Sequence, residues 1–442
     1  MEPTNNEKND ALPGTSLTLH ARPERKFINT GGSECSIDFH MKMGSAPVQK
    51  KPERLPLKLA LVLDRSGSMQ GEKIKIAKRA TLAVLDQLTE RDKVAVVVFD
   101  DRIDLIQSID RVTPALKSQV RKALDKIEAR ANTALHEGWL TGCNSIVTDA
   151  GTLSEEVLAR CFLLTDGIAN VGETDPERIA GEAAGVREHT AISTSTFGIG
   201  QDYNELLLGP LAVAGGGQFH NLRTPEEILN TFVGELGELL SIAVRQVRLE
   251  IEIESGLNME LVSPFWIDAA KRFIAIGDLQ YDEEQHAVIR VQFPAQWNSE
   301  RRSVRARLVW LEGTLEKQSA WQELNFSYAS DLMCKEETPD SEVVHWASLH
   351  EADRARREAV KRNKQGDYAG AQAVLYGAAK KIASSSSSAP LQVEADALRD
   401  LAAPMAAPMA PGASKEVYYQ QQMRSRNKRD HRNAEPDETE QK

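Results

Sequence analysis

Hydrophobic and polar positions change their period several times along this chain. Residues 17–22 and 35–43 read as strands. In the second, Cys35, Ile37, Phe39, Met41 and Met43 alternate with mostly polar positions, the period of a half-buried strand. From residue 55 strands alternate with helices. Residues 59–63, 94–99, 160–165 and 192–197 are short apolar or β-branched runs of the kind buried on both faces. Between them, Ile74, Ala77, Thr81, Val84 and Leu88 recur at steps of three and four, one face of a helix. Residues 116–127, 134–146, 176–188, 202–214 and 225–244 read as further helices. This alternation predicts an α/β fold with a doubly wound, mainly parallel sheet. Beyond residue 245 period two returns, through Val247, Leu249, Ile251 and Ile253, then Val304, Ala306, Leu308 and Trp310, then Leu324, Phe326 and Tyr328. That is an antiparallel unit with one wet face.

Six segments follow from these changes. Residues 1–15 are polar and expected to be disordered. Residues 16–54 hold the N-terminal strands and a Pro-containing, charged linker, and 55–244 form the α/β domain. Residues 245–332 supply too few strands for a full sandwich, so the N-terminal strands are expected to complete it. The α/β domain is then an insertion in a discontinuous β-sandwich. Residues 339–383 read as a helical hairpin joined at Gln365-Gly366. Residues 384–442, opening on a serine run, are expected to be a mostly disordered tail apart from a short helix over 391–401.

A chain of 442 residues is long enough for roughly two or three cores. With 54 basic and 65 acidic residues the net charge is −11, which argues against a general nucleic-acid binder. No window approaches about 18 uninterrupted apolar residues, so no membrane span is expected. The start lacks a signal-peptide core. Cys35, Cys143, Cys161 and Cys334 lie far apart with no Cys-x-x-Cys. They read as reduced thiols, and the expected location is cytoplasmic.

The candidate chemistry begins at Asp64-Arg65-Ser66-Gly67-Ser68-Met69, directly after an apolar strand. No histidine or lysine adjoins these serines to activate one as a nucleophile. A carboxylate and two hydroxyls on a tight loop do form a partial shell for a small, hard divalent cation. Asn132-Thr133 precedes a helix, and Thr165-Asp166-Gly167 follows a second apolar strand. In doubly wound sheets ligands bind at the carboxyl ends of strands, where Asp64 and Asp166 both fall. Enzyme motifs fail in detail. His136-Glu137 opens like a zinc-protease helix, but position 140 is Leu. Gly215-Gly216-Gly217 has no following Lys-Ser or Lys-Thr, and Gly31-Gly32-Ser33-Glu34-Cys35 lacks the last glycine of a nucleophile elbow. Asp100-Asp101 reads as a polar hairpin turn. The basic run Arg424, Arg426, Lys428, Arg429 and Arg432 reads as a solvated tail, its field offset by the acidic residues beyond.

The three loops together resemble the metal-ion-dependent adhesion site of von Willebrand factor type A domains, over roughly residues 56–243. The wording around Asp64 and Asp166 also looks like bacterial members often labelled calcium-activated chloride-channel-like. The resemblance implies that Asp64, Ser66, Ser68, Thr133 and Asp166 hold one Mg²⁺, with Mn²⁺ or Ca²⁺ as other candidates, partly through water. The last coordination position is then left for an Asp or Glu of a protein partner, in a binding module without enzymatic activity. Ala131 stands where the family often has Gly. Arg65, Met69, Gln70, His136, Asn170 and Glu173 fall on the same edge and are the expected partner-selecting residues. Two other readings stand beside this one. Relatives with this domain serve AAA+ ATPases such as the metal chelatases, which implies an accessory subunit; an open coordination position would also suit a metal-assisted hydrolase.

Overall fold

The computed structural model describes residues 17–46, 55–130, 132–149, 157–166, 169–239, 241–268, 270 and 272–425. The segment 1–15, most of the linker before residue 55, Ala131, and the basic residues from Arg426 onward lie outside them.

Six strands build the central sheet, in the order Ile103–Arg111, Lys93–Phe99, Leu57–Asp64, Leu158–Thr165, Ile192–Ile199 and Gly216–Leu222. All pairings are parallel except that of Ile103–Arg111 with Lys93–Phe99, which is antiparallel. Every residue of Leu57–Asp64, Leu158–Thr165 and Ile192–Ile199 is buried, as two covered faces require. Alternation along a strand divides these residues between two cores. Leu59, Leu61 and Leu63 face one core with helices Glu72–Gln87, Pro114–Asp125 and Pro225–Leu239. Ala60 and Val62 face the other with Leu135–Val147, Pro176–Thr190 and Glu205–Ala214.

The edge strand Ile103–Arg111 has no counterpart in the sequence reading. Its Asp104, Ser108 and Asp110 are exposed, and such polar positions blunt a sheet edge while hiding the strand's period. The turn before it is the polar hairpin expected at Asp100-Asp101. The helix expected over 225–244 ends at Leu239, and Ile242 already opens a strand.

That strand, Ile242–Ile253, belongs to the sandwich. One sheet runs Leu17–Pro23, Ser33–Met43, Glu284–Phe293, Asn258–Leu261. The other runs Trp266–Ile267, Phe273–Gln280, Ile242–Ile253, Arg301–Glu312, Gln322–Ala329, Phe27–Asn29. Ser33–Met43 pairs with Glu284–Phe293 along its length, Phe39 opposite Ala287 and Ile37 opposite Ile289. One core holds Ile37, Phe39, Leu249, Ile289 and Phe326 together. The α/β domain is thus inserted in a discontinuous sandwich.

The C-terminal region contains the short helix expected over 391–401, within Ala389–Ala402, and corrects the disorder expected around it. After the hairpin Ser341–Lys364 and Tyr368–Ser385 come two more helices, Ala389–Ala402 and Pro411–Ser425. Leu391, Ala395, Leu398 and Ala402 bury a narrow stripe against Leu375, Ala379 and Ile382. Tyr418, Tyr419 and Met423 enter the core of the α/β domain. Arg424, expected in a solvated run, bridges Asp353 at 2.5 Å and Glu394 at 3.1 Å. Alanine-rich helices bury little area per residue, so their apolar stripe is faint without the partner surface.

Candidate metal centre

The chain leaves Leu57–Asp64 first toward Lys93–Phe99 and later returns on the other side as Leu158–Thr165. The crevice beyond these two strand ends is therefore the switch point of the sheet. Asp64 ends the first strand and Asp166 follows the second; both are fully buried.

Asp64 organises the first loop. One oxygen accepts the Ser66 N–H at 2.7 Å, and the other accepts the Thr165 hydroxyl at 2.5 Å. The short turn Gly67–Met69 then brings Ser66 Oγ and Ser68 Oγ to 3.1 Å, with Ser68 donating to Asp166 Oδ1 at 2.8 Å. The other Asp166 oxygen receives the ammonium of Lys73. Thr133 arrives by backbone. Its N–H donates to Asn170 Oδ1 at 2.9 Å, and its carbonyl accepts from the N–H groups of Asn170 and Val171 at 3.1 and 3.3 Å. The second loop is thereby clamped to the segment that follows Asp166.

Burial above all, with a smaller push from the Asp166 charge and against the hydrogen bonds from Ser66 and Thr165, raises the Asp64 carboxyl to about 6. A carboxylate so placed is short of positive charge. Two carboxylates and three hydroxyls supply only hard oxygen donors, which fits Mg²⁺. Among the described residues no group of three or more His, Cys, Asp or Glu side chains converges.

Two expected partner-selecting residues point elsewhere. Arg65 is buried, and its guanidinium holds Asp100 at 2.9 Å and Asp104 on the edge hairpin. Its N–H donates to the Phe99 carbonyl and its own carbonyl accepts from Arg130, which turns the residue away from the crevice. Met69 is fully buried and anchors the loop from below. His136 is mostly covered, with Nε2 2.7 Å from Glu182. Gln70 and Asn170 are exposed; Glu173 is half-buried and caps Thr174 and Asp175.

Sequence reasoning missed Lys73, seven residues beyond Ser66, because only immediate neighbours of the serines were weighed. Asn170, expected among the partner-selecting residues, also holds the Thr133 loop through its side-chain oxygen. Asn170→Ala is expected to weaken divalent-cation binding by about 10-fold, as losses of ligand-orienting groups do. Calorimetric Mg²⁺ titration checks this, and unchanged affinity would show that the clamp on Thr133 is dispensable.

The family profile of the von Willebrand factor type A domain matches residues 58–234. Residues 58–234 form a von Willebrand factor type A domain. Such domains are generally protein-interaction modules, often with a metal-ion-dependent adhesion site, and are typically non-enzymatic. Over 253 residues the chain is 28% identical to the uncharacterized protein sll0103 of Synechocystis sp., covering 54% of this chain and 58% of that protein. Over 226 residues it is 26% identical to inter-alpha-trypsin inhibitor heavy chain H3 of Rattus norvegicus, covering 50% and 25%. The chain thus spans less than two thirds of either relative. Two solved structures share its fold: a von Willebrand factor type A protein from Catenulispora acidiphila (TM-score 0.70, 18% identity, 92% of this chain and 97% of that one) and the ArnB paralog VWA2 from Sulfolobus acidocaldarius (0.61, 14%, 92% and 99%). Among the described residues no helix is long and apolar enough to cross a membrane.

Proposed function

We propose that this von Willebrand factor type A domain binds a partner protein through a divalent cation, Mg²⁺ in the first instance, held by Asp64, Ser66, Ser68, Thr133 and Asp166. The observation that carries this reading is the hydrogen-bonded run Asp64–Ser66–Ser68–Asp166 at the sheet's switch point, with both carboxylates buried. When bound, Mg²⁺ would supply an open coordination position to a carboxylate of the partner. The chain's own part is to present oxygens on loops fixed by the Asp64–Ser66 and Thr133–Asn170 hydrogen bonds, so little ordering is left for binding. Selectivity then falls to the exposed Ser68, Gln70 and Asn170 around the mouth, with Glu173 beside them. Both candidate bases at this edge are engaged, His136 with Glu182 and Lys73 with Asp166 and Asp202, which favours binding over hydrolysis.

Thr133→Ala is the cleanest probe, because the backbone contacts of Thr133 that hold the loop survive the substitution. Partners captured on the immobilised full chain in Mg²⁺ should be released by chelator and absent from the Thr133→Ala chain. Replacing the partner's contacting Asp or Glu by Asn or Gln should remove most binding, since a neutral amide is the weaker ligand. Equal retention by wild type in chelator and by Thr133→Ala would end this proposal.

A further inference from the structure

We infer that Lys73 is a tethered cation that holds Asp166 until a divalent ion takes its place, and that Asp202 receives the released ammonium. The inference rests on the metal reading above and concerns how that site is regulated. Asp166 is fully buried, and its two oxygens are engaged by the Ser68 hydroxyl and the Lys73 ammonium. Lys73 therefore neutralises one of the two carboxylates that the cation would need.

The placement of Lys73 is not explained by its helix. It stands second in Glu72–Gln87, whose N-terminus carries the positive end of the macrodipole, where a cation is disfavoured. Its side chain also has a way out. Asp202 Oδ2 already lies 3.3 Å from Lys73 Nζ, and the Asp202 side chain is 70% exposed. The stem runs past Gly200, in the left-handed region at φ +80°; a Cβ there would stand 3.4 Å from Lys73 Cε. A divalent ion and an ammonium sharing Asp166 would repel each other at short range in a partly desolvated crevice. Binding is then an exchange in which the ammonium leaves Asp166 for Asp202, with no proton transferred.

The sign of a substitution separates this role from a structural one. If Lys73 merely tied the helix to the third loop, Lys73→Met would loosen the site and weaken the metal. As a competing cation, its removal tightens the metal. In Mg²⁺ titration of the full chain by calorimetry, Lys73→Met is expected to bind about tenfold more tightly than wild type. Lys73→Arg should bind like wild type or more weakly. Asp202→Asn should bind roughly threefold more weakly, because the ammonium loses its landing site. In chelator Lys73→Met should melt below wild type, and the rise in its melting temperature on adding Mg²⁺ should be the larger. Unchanged or weaker binding by Lys73→Met overturns the inference while the metal reading stands. If neither protein binds a divalent ion, both fall. Should Lys73→Met melt too low to titrate, Asp202→Asn decides alone, and unchanged affinity there overturns the exchange.

Discussion

Asp64→Asn is expected to eliminate Mg²⁺ binding and, in the same protein, to stabilise the metal-free fold at pH 7 by roughly 3 kcal/mol. The first effect follows from losing one of only two formal charges in the donor set. The second follows from the linkage sign. Burial first, and Asp166 second, raise the Asp64 carboxyl from 3.8 to about 6. A raised folded value favours the protonated form, so the stability it contributes is present in full below about pH 4. That contribution is lost as pH rises through about 6, leaving the ionised carboxylate uncompensated at neutral pH. Asparagine fits the same bonds. Its oxygen can accept the Ser66 N–H, and its amide can donate to Thr165, whose hydroxyl accepts as readily as it donates. Urea unfolding of both proteins in chelator at pH 4 and pH 7.5 reads the effect as a difference, in which other titrating groups cancel. The gap should open toward the higher pH and close when Mg²⁺ is restored to wild type. A variant less stable than wild type at pH 7.5 in chelator would show that Asp64 is not held under electrostatic stress.

Tyr419→Ala is expected to destabilise the α/β domain by about 3–5 kcal/mol, as loss of a buried aromatic ring does. Tyr419 is fully buried on the helix Pro411–Ser425, with its ring 6.3 Å from that of Phe219 on the sheet's edge strand. Tyr418 lies 5.8 Å from the same ring and packs against Gly209, where a Cβ would come within 2.4 Å of it. The same helix region satisfies a buried charge. Glu205 receives Ser414 Oγ at 3.0 Å, Lys415 Nζ at 3.5 Å and Lys364 Nζ at 2.7 Å from the preceding bundle. A fragment of residues 55–244 would strip Glu205 of these partners and open the apolar face that Tyr418, Tyr419 and Met423 cover, so it should not unfold cooperatively. The hydrophobic pattern of 55–244 by itself suggests a self-contained core, but Tyr418, Tyr419 and Met423 of the C-terminal helix also belong to that core. Denaturant melts of Tyr419→Ala and of the fragment test the point; a sharp, native-like transition in residues 55–244 alone would refute it.

Much was legible in the sequence wherever a local period carried the information. Strands buried on both faces announce themselves as unbroken apolar runs, so 59–63 and 160–165 located the heart of the sheet. The alternation in 35–43 showed a half-buried strand outside the α/β domain, and the shortage of strands in 245–332 then implied the split sandwich. Asp64, Ser66 and Ser68 declared themselves because three oxygens on one tight loop are a local fact. What the tertiary structure alone decided are directions and distant partners. Arg65 and Met69 adjoin the proposed ligand residues, yet the first turns into the edge hairpin around Asp100 and the second into the core. Lys73 meets Asp166 across the crevice only because the sheet sets their loops side by side. The helix Pro411–Ser425 reads as part of a polar tail until Phe219 and Gly209 give Tyr418 and Tyr419 a surface to cover. Period and loop chemistry are properties of neighbouring residues. The free energy that turns a side chain inward belongs to contacts made across the chain, and no local pattern records them.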